Sequence, residues 1–120
     1  MTSYLELAVK QAMRSQCRYR VGAVLTRGGR ILACSCNRYR NSSVVDYRHA
    51  TFHAEEVLLR LARSTYGTVI YVARVNKAGR AVMARPCTRC QKALASSGIS
   101  RAHYTTMSGP AVLDLSQLHR

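Results

Sequence analysis

Pro86-Cys87-Thr88-Arg89-Cys90, read together with His53-Ala54-Glu55 upstream, decides how this chain folds. His53, Cys87 and Cys90 supply one imidazole and two thiols, the donor types that zinc prefers. Zinc with three protein ligands keeps a fourth coordination position for water, which marks a catalytic centre rather than a structural one. Cys87 and Cys90 stand three residues apart, so at ~100° per residue they share one face of a helix's first turn. Pro86 stops that helix from extending backwards. The partial positive charge of a helix N-terminus favours both cysteines as thiolates. Glu55 is a carboxylate that the metal does not need, and it is placed to move a proton.

Working outward, the spacing of Leu5, Ala8, Val9, Ala12 and Met13 predicts a helix over residues 3–16 with one buried face. Arg20 to Thr26 reads as a buried strand, Arg27-Gly28-Gly29-Arg30 as a hairpin turn, and Ile31 to Asn37 as the returning strand. Arg38 to Thr51 has no period and reads as a long polar loop. Val57, Leu58, Leu59, Leu61 and Ala62 predict an apolar helix over 53–63, with Glu56 facing solvent or paired with Arg60. Thr68 to Val75 is rich in β-branched residues and predicts a strand; Asn76-Lys77-Ala78-Gly79 turns the chain into a short extended piece. Cys87 to Ser97 follows as a helix capped by Gly98, then Arg101 to Thr106 as a strand. Ser108-Gly109-Pro110 reads as a turn before a last strand over Ala111 to Leu115. This α-β-β-α-β-α-β-β order predicts an α/β fold, a mixed sheet with helices on its faces.

The ordered pair His-Ala-Glu and Pro-Cys-x-x-Cys resembles the signature of zinc nucleobase deaminases, and the element order resembles the cytidine deaminase-like superfamily over nearly the whole chain. The resemblance implies a three-layer α-β-α fold with a mixed five-stranded sheet, and a single domain over 1–120. The tight turn after the strand at 101–106 resembles the branch whose last two strands form a hairpin, that of the free cytidine deaminases. The resemblance also implies one catalytic Zn2+ on His53, Cys87 and Cys90, with Glu55 as general acid and base. It assigns Asn37 to the sugar of the substrate and the Ala54 backbone N–H to the base. A turn-forming Asn after a strand is the competing reading of Asn37. Two positions depart from the nucleoside pattern. Tyr39 stands where free cytidine deaminases carry a ribose-holding Glu, and Arg85 stands before Pro-Cys where relatives often have Ser or Glu. An Arg at that rim suits a phosphate; an ordinary solvated Arg is the alternative.

Charge is the second signal. Basic residues number 19 against 5 acidic, a net +14, and subtracting Lys10, Lys77 and Lys92 leaves 16 arginines. Arginine grips phosphate bidentately and stacks on bases, so this bias is the footprint of a polyanion binder. A basic surface without a specific partner is the plainer account. Arg38, Tyr39, Arg40, Tyr47, Arg48 and His49 interleave rings and cations before the predicted catalytic helix, the composition of a single-strand channel, and Arg89 lies between the two cysteines. Tyr104 to Ser108 occupy the place where polynucleotide deaminases carry a context-reading loop, which puts Tyr104 among the substrate contacts.

A chain of 120 residues has room for one core. It carries no apolar run of ~20 residues and no basic-then-apolar leader at Met1-Thr2-Ser3, which predicts a cytoplasmic protein off the membrane. Five cysteines, two of them in the motif, fit a reducing compartment; Cys17, Cys34 and Cys36 read as small buried hydrophobes rather than a second metal site. Three functions compete. The first is a cytosine deaminase on single-stranded nucleic acid, with DNA ahead of RNA. The second is a deaminase of free cytidine, deoxycytidine or their monophosphates. The third is a binding scaffold without turnover, which the intact set of His53, Glu55, Cys87 and Cys90 disfavours. The oligomeric state has no signal in the sequence.

Overall fold

The computed structural model describes residues 3–15, 20–36, 38–39, 51–52, 66–86 and 88–116. Helix α1 (Tyr4–Met13) begins at Ser3, whose side chain accepts from the Glu6 N–H at 3.1 Å. Glu6 in its first turn and Lys10 in its last oppose the helix dipole. Its buried face is Ala8 and Ala12, small enough for the helix to lie directly on the sheet. That approach requires Gly22 beneath it, where an added Cβ would run into the backbone of Ala8 and Ala12.

Strand β1 (Arg20–Arg27) turns through Gly28 and Gly29, both at positive φ, into β2 (Arg30–Cys36). A register shift between Leu25 and Thr26 leaves Leu32 without an opposite residue. The central strand, β5 (Val69–Val75), pairs antiparallel with β1 and parallel with β7 (Arg101–Thr106), which pairs antiparallel with β8 (Gly109–Asp114). The order β2-β1-β5-β7-β8 is the mixed five-stranded path with a terminal hairpin that the sequence predicts. A sixth, two-residue strand, β6 (Ala81–Val82), pairs with the end of β5.

Alternation along the strands separates the two faces. Ala23, Leu25, Ile70, Val72 and Ala102 face Leu94 and Ala95 of helix α2 (Thr88–Ser96), while Val24 and Ala73 face Ala8 of α1. Helices therefore cover opposite faces of one sheet, which is the α-β-α layering. Leu25, Ile70, Leu94, Ile99 and Leu115 are fully buried, each contributing about 1.5–3 kcal/mol. Helix α2 ends in a Schellman motif: Ile99 N–H donates to Leu94 O at 3.1 Å and Gly98 N–H to Ala95 O at 3.0 Å, with Gly98 at φ 82°. Among the described residues no helix is long and apolar enough to cross a membrane.

Four expectations change. The segment read as a polar loop begins and ends in strand: β3 (Arg38–Tyr39) pairs antiparallel with β4 (Thr51–Phe52). Tyr104 does not lie in a loop after a strand, because Tyr104, Thr105 and Thr106 are the end of β7, opposite Ala111, Pro110 and Gly109. The turn is Met107-Ser108, held by the Thr106 hydroxyl, which donates to Gly109 O at 2.6 Å and accepts from Ser108 N–H at 3.1 Å. Cys34 is exposed and Cys36 half-buried, since β2 is an edge strand, so neither is a core hydrophobe. The helix predicted over 53–63 and Cys17 lie outside the described residues.

Candidate active site

The segment that leads to the second half of the motif starts at the C-terminal end of β5. The chain leaves β5 through a turn held by Asn76, whose Oδ1 accepts from the N–H groups of Ala78 and Arg80, each at 3.0 Å. It then runs through β6 toward Pro86. β7 pairs with β5 only as far as Val72↔Tyr104, and beyond that rung β6 takes its place beside β5. Thr105, 5% exposed, closes this junction. Its hydroxyl donates to Val82 O at 2.7 Å and accepts from Arg74 N–H at 3.2 Å. Its carbonyl accepts from Ala84 N–H at 2.9 Å. One buried threonine thus ties β5, β6 and the approach to the motif together.

Pro86 is buried and Arg85 beside it is exposed. From the first turn of α2, Gln91 reaches back, its Nε2 donating to Pro86 O at 2.8 Å. Cys90 precedes Gln91 and is 1% exposed. The first turn of α2 contains no acidic residue, so the positive end of the helix dipole acts on Cys90 unopposed from within that turn. A buried thiol at a helix N-terminus is a soft donor suited to zinc, and the donor chemistry here fits that ion.

Of the residues selected from sequence, Cys90 and Arg89 lie in α2, and Arg85 on the segment before it. Tyr104 is buried, 8% exposed, in the core cluster that includes Ala84 and Leu94. Arg38 and Tyr39 lie in β3, and the Arg38↔Phe52 rung joins the two chain segments that adjoin Asn37 and His53. His53, Ala54, Glu55, Cys87, Asn37, Arg40, Tyr47, Arg48 and His49 lie outside the described residues. Among the described residues no three His, Cys, Asp or Glu side chains come together, Cys90 being the one described member of the ligand set. Thr105 and Gln91 escape sequence reasoning. The available signal was a Thr ending a strand and a Gln directly after the second motif cysteine.

Residues 1–106 match the family described as the cytidine and deoxycytidylate deaminase zinc-binding region. A tRNA-specific adenosine deaminase of Agrobacterium fabrum is 35% identical over 105 residues, covering 86% of this chain. The chain spans 63% of that relative's length. A cytidine deaminase from Burkholderia pseudomallei has the same fold, with a TM-score of 0.70 at 19% identity over 96% of this chain and 92% of that one. The dCMP deaminase of cyanophage S-TIM5 is similar at TM-score 0.64 and 24% identity, over 86% of this chain and 79% of its own.

Proposed function

The chain belongs to the cytidine and deoxycytidylate deaminase zinc-binding family, hydrolytic deaminases that use one Zn2+, and we propose that it converts cytosine to uracil in single-stranded nucleic acid. In this reading His53, Cys87 and Cys90 hold the ion, which when bound supplies the Lewis acidity that makes water a nucleophile near neutral pH. Glu55 takes a proton from the water as its oxygen bonds to the amino-bearing ring carbon, and delivers it to the adjacent ring nitrogen. It then shuttles a second proton to the amino group, the carbon–nitrogen bond breaks, and ammonia leaves. The Ala54 N–H holds the base and Asn37 the sugar. Gln91 and Thr105 hold the backbone on either side of Pro86 in place.

The observation that carries a strand rather than a nucleoside is Arg85, an exposed guanidinium beside the buried Pro86 at the entrance to α2, on a chain of net charge +14. Similarity to the tRNA-specific adenosine deaminase of Agrobacterium fabrum supports a polynucleotide as well, while favouring adenine as the base. Arg38, Tyr39, Arg40, Tyr47, Arg48, His49 and Arg89 are the contacts proposed for the strand, while Tyr104, buried in the core, is not among them. Cytosine ahead of adenine is supported by the β7–β8 pair, antiparallel from Arg101↔Asp114 to Thr106↔Gly109. The same hairpin favours the second reading, a deaminase of free cytidine, deoxycytidine or (d)CMP.

The test is turnover by the zinc-loaded protein on mixed-sequence single-stranded DNA, the matching RNA, cytidine, deoxycytidine and dCMP. Uracil formed in an oligonucleotide supports the proposal. Inosine instead of uracil would overturn the choice of base, and turnover confined to the free compounds would overturn the strand.

A further inference from the structure

We propose that the corner where the last turn of α1, the start of β1 and the β5–β6 hairpin meet is a phosphate-binding surface that holds the backbone of a single-stranded nucleic acid outside the active site. The inference rests on the proposed strand substrate. Lys10 and Arg14 are exposed at the end of α1, Lys77 and Arg80 are exposed on the hairpin, and Arg20 opens β1 half-buried. Backbone geometry brings them together. Arg20 faces Val75 across the β1–β5 ladder, and Val75 faces Ala81, next to Arg80, across β5–β6. Met13 lies against the same hairpin, since a Cβ on Gly79 would stand 3.6 Å from its terminal methyl.

Among the described residues the acidic side chains are Glu6 and Asp114. Glu6 lies in the first turn of α1 and lines a groove with Ala81, one carboxylate against five cations, and Asp114 ends β8 opposite Arg101, at the far end of the sheet. The negative end of the α1 dipole accounts for Lys10 and Arg14, at about 0.3–1 kcal/mol each. It does not account for Arg20, Lys77 and Arg80 converging on the same place, where like charges repel unless an anion joins them. The hairpin is also held rigid, by the two Asn76 Oδ1 bonds and by Asn76 N–H donating to Arg80 O at 3.0 Å, so its cations are presented without ordering a loop. This corner lies at the C-terminal end of β5, the end from which the chain runs past Arg85 to α2. A strand with one base at the motif can therefore pass Arg85 and continue to the corner.

The experiment compares Lys77→Gln/Arg80→Gln with Arg30→Gln/Arg101→Gln, an equal loss of charge at the opposite end of the sheet. Binding of a 20-nucleotide single strand is measured as a function of salt, and turnover of deoxycytidine is measured alongside. The corner pair is expected to lower the slope of log affinity against log salt by about 1.4, two phosphate contacts at ~0.7 each, while the control pair leaves it unchanged and both keep the wild-type rate on deoxycytidine. Equal slopes for the two pairs, or no change from the corner pair, would overturn the proposal. If the unchanged protein binds the oligonucleotide through this corner but deaminates none of it, the surface stands and the proposed substrate falls.

Discussion

Gln91 and Pro86 are joined by a side-chain-to-backbone hydrogen bond of 2.8 Å that spans the whole Cys87-Thr88-Arg89-Cys90 turn. The amide of Gln91 sits one residue after a buried cysteine, and the carbonyl of Pro86 one residue before the other cysteine of the motif. The bond therefore constrains the chain where it enters α2, and in the proposed site it would act on the metal through backbone rather than by ligation. Gln91→Leu keeps the approximate volume and removes the donor. Outer-shell partners of metal ligands typically contribute 10–100-fold in affinity, so zinc affinity by chelator competition should fall within that range. Unchanged affinity would show that α2 holds its entry angle without the clasp.

Thr105 is the second positioning residue, and its loss should register as stability. Thr105→Val deletes the hydroxyl that satisfies Val82 O and Arg74 N–H, leaving both without that partner for a cost of about 1–3 kcal/mol. The urea midpoint should drop with little change in slope, and Thr105→Ser should recover most of it. Equal loss in the Ser variant would shift the cause from the hydroxyl to the methyl group.

Two glycines mark contacts too close for any side chain. Gly22→Ala pushes a methyl into the α1 backbone, and the helix must lift off the sheet, at about 1–3 kcal/mol or more. Gly98→Ala combines positive φ with a contact to Tyr66 Cα at 2.8 Å. Tyr66→Ala removes the ring Cδ2, which lies equally close at 2.8 Å, but leaves Cα and the positive φ, so it should relieve only part of the cost; a full rescue measured by thermal unfolding would contradict this.

Glu55→Gln should keep zinc at wild-type stoichiometry while turnover drops by about 10²–10⁴-fold, the usual worth of a placed acid–base group. Cys87→Ala should lose the ion along with activity. A Glu55→Gln protein of near-normal rate would remove Glu55 from the mechanism.

His103 stacks on Tyr71, ring centroids 4.7 Å apart. Its pKa is lowered, first by burial and then by the positive charge of Arg101. The unfolded chain then binds a proton more readily than the folded one, so the stacked form has its full stability above about pH 6.5 and loses it as pH falls below that value. The His103→Phe variant should keep the stack and flatten this acid limb of the stability profile. An unchanged limb would place the titration elsewhere.

Much of the molecule was legible along the chain. The β-branched run from Thr68 to Val75, the Gly-Gly turn at 28–29 and the Gly98 cap are local signals, set by side-chain branching and backbone sterics, and the strand, hairpin and cap appear where those signals put them. The motif residues carried the family by their own donor chemistry. What the chain could not disclose depends on residues far apart in sequence. Arg38 reads as polar loop until Phe52 lies opposite it, and Tyr104 as a loop residue until β8 pairs with it. Thr105 becomes a junction only when β6 displaces β7 from the side of β5. Pro86-Cys87-Thr88-Arg89-Cys90 by itself determined a helix start with a metal donor on its first turn, because spacing and a missing N–H act locally. Tertiary structure decided what holds that turn in place and which cations share its end of the sheet, because hydrogen bonds and Coulomb forces act between whatever the fold brings within reach.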